Sequence, residues 1–256
     1  MMRAITREVS PTIARCELHT LARVAIDTAK CAAEHRAYEA KLGELGLAVT
    51  VLPAEPDLPD SVFVEDPALV LDEVAIVTRM GAESRRREGE SLAAALQPFR
   101  ELRRMQAPAT LEGGDVMRIG RTLFVGASAR TNAEGIGQLR ELTAEFGYTV
   151  TPVEVRHCLH LKSAVTWLGG NTLVANAELI DMAPLAAFEA IPVDAAEPWA
   201  ANTLTVGGVT LIAACYPRTA ERLQQRGYAV CPMDISELMK AEAGLTCSSL
   251  IFEADA

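Results

Sequence analysis

The sequence predicts an α/β chain of five β-β-α-β modules arranged about a pseudo-fivefold axis, as in a propeller. Two observations predict this fold class. Hairpin-like stretches, most of them followed by a helical pattern, start about 40 to 50 residues apart, a spacing typical of repeat architectures. The helical patterns then lead to short strands that end in a proline. An ordinary α/β sheet is the alternative, and the repeated proline ending favours the modules.

Each of the four internal modules begins with two short apolar stretches joined by a tight polar or glycine turn, which is typical of β-hairpins. The predicted hairpins span residues 62–78, 115–126, 164–175 and 203–213. The helical patterns span residues 84–96, 132–146, 177–188 and 217–226, and the third is the weakest. The closing strands end at or before Pro108, Pro152, Pro192 and Pro232.

The two ends of the chain complete the set. A strand at residues 247–252 is expected to pair with residues 4–9, a helix at 20–45 to follow, and residues 48–53 to close the module. Such a ring leaves few exposed strand edges. We therefore predict a single catalytic domain over residues 1–256.

Composition narrows the functional classes. Net charge is −10, from 24 Lys and Arg against 34 Asp and Glu, which argues against a nucleic-acid partner and weakly favours cationic ligands. No apolar run approaches a membrane span and no signal-peptide core is present, so a soluble, cytoplasmic protein without a membrane partner is expected. Six cysteines without CxxC spacing predict reduced thiols.

Two residues are candidates for nucleophilic catalysis. Cys247 is predicted at the start of the last strand, beside small hydroxyl residues, and a small buried hydrophobe is its alternative role. His160 is predicted on an alternating strand, facing away from the core that Leu159 and Leu161 enter, and a merely structural histidine is the alternative. The His157-Cys158-x-His160 run lacks a second ligand pair, which disfavours structural zinc.

Acidic residues gather at the starts of the other hairpins. Glu112 precedes two glycines, which would let the backbone approach a ligand while the carboxylate reaches a charged centre; a simple turn is the alternative. Glu65 and Asp66 lie inside an apolar run, where a buried carboxylate requires a cationic partner. A guanidinium matches a carboxylate fork. Asp60 lies at the same hairpin.

Basic residues form a second group, which includes Arg85 before one helical pattern and Arg130 before another. Either could bind a carboxylate, although a solvated helix face is the usual role of the triple arginine at 85–87. Acids at one end of a ligand and arginines at the other predict an α-amino acid with a cationic side chain as substrate.

Several motifs resemble the dimethylarginine dimethylaminohydrolase family of the pentein superfamily, in order along nearly the whole chain. They are SVFVED at 61–66, TR-x-GA-x-SRR at 78–86, EGGDV at 112–116, VG-x-S-x-RTN at 125–132, LHLKS at 159–163 and LTCS at 245–248. Met80 and Glu83 depart from this pattern, since the family usually has prolines there. The pair His157-Cys158 departs too. The resemblance implies the pentein fold, five ββαβ modules about a pseudo-fivefold axis.

The resemblance also implies catalytic roles. Cys247 would be the nucleophile, His160 the general acid/base, and Glu112 the third member of a triad. Asp66 with Glu65 would hold the substrate guanidinium. No cofactor or metal is required, although zinc could inhibit by binding Cys247 and His160.

The resemblance adds further substrate-binding positions. Asp60, Phe63 and the backbone near Leu18 would help to bind the ligand, with Leu18 in a mobile lid. The carbonyl near Ala241 would contact the substrate amino group, and the two arginines named above would receive its carboxylate. A homodimer is left open.

The activity implied is hydrolysis of asymmetric dimethylarginine and monomethylarginine to citrulline and dimethylamine or methylamine, through a covalent thiouronium. Arginine deiminase and amidinotransferase are the rivals within the superfamily, although both usually have longer chains. A catalytically silent guanidino-ligand binder is the rival of another class, and it would have no use for a cysteine paired with a histidine.

Overall fold

The described part of the chain contains five three-stranded sheets, and each has the same internal arrangement. The computed structural model describes residues 1–254. The strands in chain order are β1 Met2–Arg7, β2 Ala48–Leu52, β3 Ala68–Val70, β4 Val74–Val77, β5 Glu101–Arg104, β6 Val116–Ile119, β7 Thr122–Ala127, β8 Thr149–Glu154, β9 Val165–Gly169, β10 Thr172–Ala175, β11 Glu189–Pro192, β12 Leu204–Val206, β13 Val209–Ala213, β14 Ala229–Met233 and β15 Leu250–Glu253. The helices are α1 Thr28–Glu44, α2 Gly89–Leu96, α3 Ala133–Thr143, α4 Leu161–Ala164, α5 Pro217–Gln225 and α6 Ser236–Met239.

The sheet order confirms the predicted modules. The five sheets are β15-β1-β2, β3-β4-β5, β6-β7-β8, β9-β10-β11 and β12-β13-β14. In each one the central strand runs antiparallel to the first strand and parallel to the third. A tight turn is enough for the antiparallel pair, whereas the parallel pair needs a longer crossover. This explains why each predicted hairpin precedes the crossover segment in the sequence.

The ends of the chain close the ring as predicted. Strand β1 pairs antiparallel with β15, with Ala4 opposite Ile251, and parallel with β2. The amino group of Met1 donates to the carbonyl oxygen of Ala254 at 2.7 Å. One module is therefore built from both ends of the described chain.

Five clusters of buried apolar side chains lie between the modules, and each cluster joins two neighbours. In one of them, for example, Tyr38 of α1 packs with Leu211 of β13. In another, Ile5 of β1 packs with Ala75 of β4. Each module thus buries apolar surface against the modules on both sides.

Three predicted helices differ from the structure. The segment predicted as a helix from residue 20 is a loop, and α1 begins only at Thr28, where the Asp27 side chain accepts from Lys30 N and caps the first turn. Residues 177–188 contain only a 3₁₀ turn, Ala183–Leu185, with proline inside it. The segment 84–96 is divided into the 3₁₀ turn Glu83–Arg85 and helix α2.

Two candidate catalytic residues lie in turns, so their predicted strand positions are wrong. Cys247 lies in a turn three residues before β15. His160 immediately precedes the short helix α4, and the Leu161 N–H that begins this helix donates to Asp115 Oδ1 at 2.9 Å. That long-range bond selects a helical turn where the local sequence alternates like a strand.

The first strands of the five modules line a central cavity of about 280 Å³. The cavity is also lined by Glu65, Lys162 and Thr246, each of which lies a few residues before one of these strands. The loops that lead into the five inner strands therefore converge at one end of the axis. Within residues 1–254, every helix falls short of the length and apolar character that crossing a bilayer requires.

Candidate active site

An imidazole–carboxylate pair lies at the centre of the site. His160 Nε2 lies 2.7 Å from Glu112 Oε2, and both side chains are buried. The other carboxylate oxygen, Oε1, accepts from the backbone N–H groups of Gly81 at 3.0 Å and Ala82 at 3.3 Å, and from Arg130 at 3.4 Å. Although burial opposes ionisation, the hydrogen bond and charge of His160, with the charges of Arg85 and Arg130, hold the pKa of Glu112 well below its usual range. Glu112 is thus a fixed carboxylate.

His160 is stabilised as a cation. Burial alone would lower its pKa, but nearby Asp66, the hydrogen bond to Glu112 and the charge of Asp115 outweigh burial and raise the pKa of His160 to about 9. Its Nδ1 lies 4.0 Å from Asp66 Oδ1. At neutral pH the ring is therefore an imidazolium that can donate a proton.

The two glycines after Glu112 are required by close contacts. A Cβ at Gly114 would lie 2.6 Å from His160 Nδ1, and a Cβ at Gly113 would lie 1.9 Å from the carbonyl oxygen of Glu65. Both distances are far below van der Waals contact. The glycine pair therefore lets the loop press against the imidazole, as well as forming a turn.

Cys247 is partly exposed, and its Sγ accepts from the Gly244 N–H at 3.3 Å. Burial, followed by the charges of Glu65 and Asp66, raises the pKa of the Cys247 thiol to about 12, against the smaller opposing effects of the Gly244 N–H and Lys162. The backbone joins this turn to the first hairpin, because Glu65 N donates to the Cys247 carbonyl at 3.2 Å. The resting residue is thus a neutral thiol.

Glu65 and Asp66 are both buried, and each has a cationic partner. Glu65 forms an ion pair with Lys162 and accepts from Thr246 Oγ1 at 2.8 Å. Asp66 accepts from Arg85 at 3.0 Å through Oδ2 and from Gly114 N at 3.0 Å through Oδ1. Burial raises the pKa of Glu65 despite Lys162. The sequence analysis anticipated cationic partners for these acids, and the chain itself supplies one for each.

Arg85 is buried within an acidic group. Its Nε and one terminal nitrogen contact the Glu88 carboxylate at 2.9–3.2 Å, and the other terminal nitrogen contacts Asp66. Burial raises the pKa of Glu88 to about 7, in spite of the adjacent guanidinium. In the substrate-free protein the guanidinium of Arg85 is therefore bonded to carboxylates of the protein itself.

Arg130 is also largely buried, with 11% of its side chain exposed, and it contacts Glu112 as described above. It follows β7 and precedes α3, next to Thr131, whose hydroxyl donates to the buried Asp115 at 2.7 Å. The structure therefore brings Arg130 to the edge of the imidazole–carboxylate pair.

The remaining predicted binding residues are Leu18, Phe63 and Ala241, which share an apolar cluster with Cys247, and Asp60. Leu18 and Cys247 pack against a cluster that contains Phe63 and Ala241. Asp60 is buried, and both of its carboxylate oxygens accept from Glu17 N, at 3.2 and 3.1 Å. Burial raises the pKa of Asp60.

The loop of residues 17–21 adjoins this region, and Glu242 holds it; the predicted helix from residue 20 took in only the last two of these residues. The carboxylate of Glu242 accepts from the N–H groups of His19 at 2.7 Å and Thr20 at 2.6 Å, from Leu21 N, and from the Thr20 hydroxyl at 2.9 Å. Glu242 itself has a positive φ of 58°, which is uncommon for a residue other than glycine. We call residues 17–21 the lid.

The sequence analysis assigned no functional role to four residues that form bonds within the site: Lys162, Glu88, Asn202 and Glu242. Glu88 could have been found, since it lies three residues after Arg85 in a helical pattern, where opposite charges meet. The other three contact partners that are distant in sequence, and nothing in their neighbourhoods predicts this.

The ligand-type atoms of Asp66, Glu112 and His160 lie within 4.8 Å of one another. Each is already paired within the protein, so this group is an ion-pair network. The expected inhibition by zinc at Cys247 and His160 stays a prediction.

Comparisons with known proteins agree with this geometry. A family model described as N,N dimethylarginine dimethylhydrolase, eukaryotic, matches residues 18–214. The chain is 39% identical over 228 residues to the N(G),N(G)-dimethylarginine dimethylaminohydrolase of Pseudomonas aeruginosa, a match that covers 88% of this chain and 90% of the relative. It is 38% identical over 251 residues to the Streptomyces coelicolor protein of the same name, covering 97% and 96%. A solved structure of the Pseudomonas protein, a cysteine-to-serine variant complexed with citrulline, superposes with a TM-score of 0.94 at 36% identity and covers 98% of this chain and 100% of that one.

The five modules and their likeness to these proteins define a hydrolase of the pentein class. Two relatives of the same name match this chain over most of its length and of their own. This match narrows the class of protein to one family. The chain belongs to the dimethylarginine dimethylaminohydrolase family.

Proposed function

We propose that the protein hydrolyses N-methylated arginines, namely asymmetric dimethylarginine and monomethylarginine, to citrulline and dimethylamine or methylamine. The observation that carries the proposal is that Cys247 is hydrogen-bonded through its carbonyl to Glu65, next to Asp66, which lies 4.0 Å from the imidazole of the His160–Glu112 pair, in a chain of this family. The citrulline bound by the Pseudomonas relative supports the proposed product.

The acids have a natural role with a cationic substrate. The substrate guanidinium would dock against Asp66 and Glu65, whose carboxylates have lone pairs beyond those used by Arg85 and Lys162. Its positive charge would lower the pKa of the Cys247 thiol, because an opposite charge stabilises the thiolate. The thiol would then release its proton to solvent when substrate binds.

In the first half-reaction the thiolate attacks the guanidinium carbon and forms a C–S bond, giving a tetrahedral adduct. His160 donates its proton to the leaving nitrogen, the C–N bond breaks, and dimethylamine or methylamine departs. Glu112 keeps the imidazolium oriented. The product of this half-reaction is a covalent thiouronium on Cys247.

In the second half-reaction water attacks the thiouronium carbon while neutral His160 accepts a proton from it. The hydroxyl of the resulting adduct then loses its remaining proton to solvent as the C–S bond breaks, which releases citrulline and leaves Cys247 as the thiolate. The same histidine thus acts as acid first and base second, and protonation of the thiolate after citrulline leaves returns the site to its starting state.

The other end of the substrate would meet Arg130 and Arg85, which receive its carboxylate. For Arg85 this requires its terminal nitrogen to leave Asp66, to which it is bonded in the substrate-free protein. The backbone carbonyls of Leu18 and Ala241, with Asp60, would bind the amino group. The lid would then cover the bound amino acid.

A product assay across arginine, monomethylarginine and asymmetric dimethylarginine tests the proposal. Citrulline should form with stoichiometric methylamine or dimethylamine, and Cys247→Ser should abolish turnover while keeping the fold. Ammonia released from unmethylated arginine as the main reaction would instead indicate an arginine deiminase. Full activity of Cys247→Ser would contradict the assigned nucleophile.

Trapping of Cys247 by an electrophilic amidine distinguishes the enzyme from a silent guanidino-ligand binder. The covalent adduct should form with His160 intact. A protein that binds methylarginines without forming citrulline, and whose Cys247 is not trapped, would be the silent binder.

A further inference from the structure

Asn202 occupies, in its own module, the place that the proposed catalytic and binding groups occupy in the others. Glu112 and His160 precede the inner strands β6 and β9, and Cys247 precedes β15. Asn202 precedes β12 in the same way. The proposed mechanism gives this fifth loop no task.

The side chain of Asn202 forms hydrogen bonds to two other loops of the site. Its Nδ2 donates to the carbonyl oxygen of Lys162 at 3.0 Å and to Thr246 Oγ1 at 3.2 Å, and its Oδ1 accepts from Thr246 N at 3.1 Å. Lys162 follows His160 by two residues, and Thr246 immediately precedes Cys247. One amide therefore joins the loop of the general acid/base to the turn of the nucleophile.

The same amide also supports Gly244. A Cβ at Gly244 would lie 2.3 Å from both Cγ and Oδ1 of Asn202, so the glycine backbone lies directly against the amide group. The N–H of Gly244 is the group that donates to Cys247 Sγ. Any movement of the Asn202 side chain would therefore change the direction of this N–H.

The bonds of Asn202 continue to the buried acid. Because Nδ2 donates to Thr246 Oγ1, the threonine hydroxyl hydrogen is free to donate to Glu65 Oε2, 2.8 Å away. Glu65 in turn pairs with Lys162, whose carbonyl the amide already holds. The chain of bonds closes on itself, and such networks position their members more firmly than single contacts do.

We propose that Asn202 is a positioning residue that holds the Gly244–Cys247 turn against the His160 loop, so that the Gly244 N–H points at the sulfur and Glu65 is fixed below it. The proposal rests on the proposed function only in taking Cys247 as the nucleophile. It does not depend on which guanidinium carbon is attacked.

The test is the pH dependence of Cys247 alkylation by iodoacetamide in Asn202→Ala, with Cys247→Ser measured alongside to subtract the other cysteines. Loss of the Gly244 N–H contact should raise the pKa of the thiol and slow alkylation several-fold at pH 8. The second-order rate constant with the methylarginine substrate should fall on the order of 10-fold to 100-fold, as expected for a small misplacement of a reacting group.

A second variant tests whether the effect passes through Gly244. Gly244→Ala should raise the thiol pKa in the native background, because its Cβ cannot fit against Asn202. In an Asn202→Gly background the methyl group of Ala at position 244 has room. The effects of Gly244→Ala and Asn202→Gly on the thiol pKa should therefore be strongly non-additive. Additive effects would overturn the proposal, and Asn202→Ser replaces Asn202→Ala if the latter does not fold.

Asn171→Ala is the matched control, since Asn171 lies exposed in the turn between β9 and β10. It should leave alkylation and turnover unchanged. The proposal is overturned if Asn202→Ala alkylates with the native pH profile, even if turnover falls. If no methylarginine is hydrolysed but the alkylation profile shifts as expected, the proposed function fails and the role of Asn202 stands.

Discussion

At the scale of single residues, the free protein holds Cys247 as a neutral thiol and His160 as an imidazolium, so the general acid is charged before the nucleophile is. Burial, followed by the charges of Glu65 and Asp66, raises the pKa of the thiol to about 12. Asp66, Glu112 and Asp115 outweigh burial and raise the pKa of the imidazole to about 9. An acidic site disfavours the thiolate and favours the imidazolium. The nucleophile therefore needs a cation from outside, and the substrate is the obvious source.

We expect Cys247 to remain a thiol at neutral pH in the free protein. When a guanidinium ligand is bound, the pKa of the thiol should fall below its value in the free protein. Thiolate absorbance in the ultraviolet, taken as the difference between the native protein and Cys247→Ser, measures this titration. An uncharged isostere of the ligand, such as citrulline, should leave the titration near that of the free protein. A thiolate already formed at pH 7 without ligand would contradict the expectation.

Replacing Glu112 by Gln should lower the pKa of His160 below about 9, because the change removes a charge and weakens a hydrogen bond that favours the imidazolium. Asp66 and Asp115 remain, so the shift should be partial. Activity on the alkaline side should then be lost at lower pH than in the native protein, with turnover lower on the order of 10².

Histidine titration by NMR measures this change directly, since the chain has only four histidines. The spectrum of a His160→Asn variant identifies the relevant resonance. An unchanged His160 titration in Glu112→Gln would show that the carboxylate does not favour the cation.

At the scale of elements, the segment before α1 departs from the predicted helix, which began at residue 20, and the lid lies partly in this segment. Residues 17–21 bond to Asp60 at one end and to Glu242 at the other, and both partners are far away in sequence. Burial opposes ionisation of Glu242, but the lid N–H groups outweigh it and lower the pKa of this carboxylate. The lid is thus held at one end by Asp60 and at the other by Glu242, which lies on the loop that leads to Cys247.

Glu242→Gln should loosen the lid, since bonds to a charged acceptor contribute about 1.5–3 kcal/mol each and a neutral amide can satisfy fewer N–H donors. KM should rise more than kcat falls, because the lid contacts the substrate amino group in the proposed complex. Trypsin should also cleave faster at Arg15 or Arg23, which flank the lid.

Glu141→Gln is the control for this prediction, as Glu141 lies exposed on α3. Its KM and proteolysis should match those of the native protein. Equal proteolysis of Glu242→Gln and the native protein would mean that the carboxylate does not hold the lid.

The elements that the sequence predicts well are those specified locally. The hairpin turn at Gly207–Gly208 has positive φ at both residues, a conformation that glycine adopts readily, and it was predicted from those residues. The start of α1 also has a local signal, in the Asp27 cap, and the prediction of a helix from residue 20 overlooked it. The helical turn after His160, in contrast, depends on a bond to Asp115, 46 residues away, which local patterns cannot reveal. The same holds for Asn202, whose partners lie about 40 residues away on either side.

At the scale of the whole molecule, each apolar cluster joins two neighbouring modules. A module that unfolded alone would break up two apolar clusters and expose the apolar surfaces of both neighbouring modules to water. The single domain over residues 1–256 stays a prediction, and this arrangement supports it.

We therefore expect one cooperative unfolding transition. Urea titrations followed by tryptophan fluorescence and by far-ultraviolet circular dichroism should coincide, since Trp167 and Trp199 report on one side of the ring and circular dichroism on all of it. Two separated transitions would indicate that some modules fold independently.

The hydrogen bond between Met1 and Ala254 has a consequence for connectivity. The module it completes is interrupted between its first and second strands, at the position where the other four have a hairpin turn. Circular order, rather than linear order, thus defines this architecture. A permuted gene that links the present ends through a short spacer and opens the chain at Gly207–Gly208 would move the interruption to the equivalent turn of another module, and its product should assemble the same five sheets around the same site.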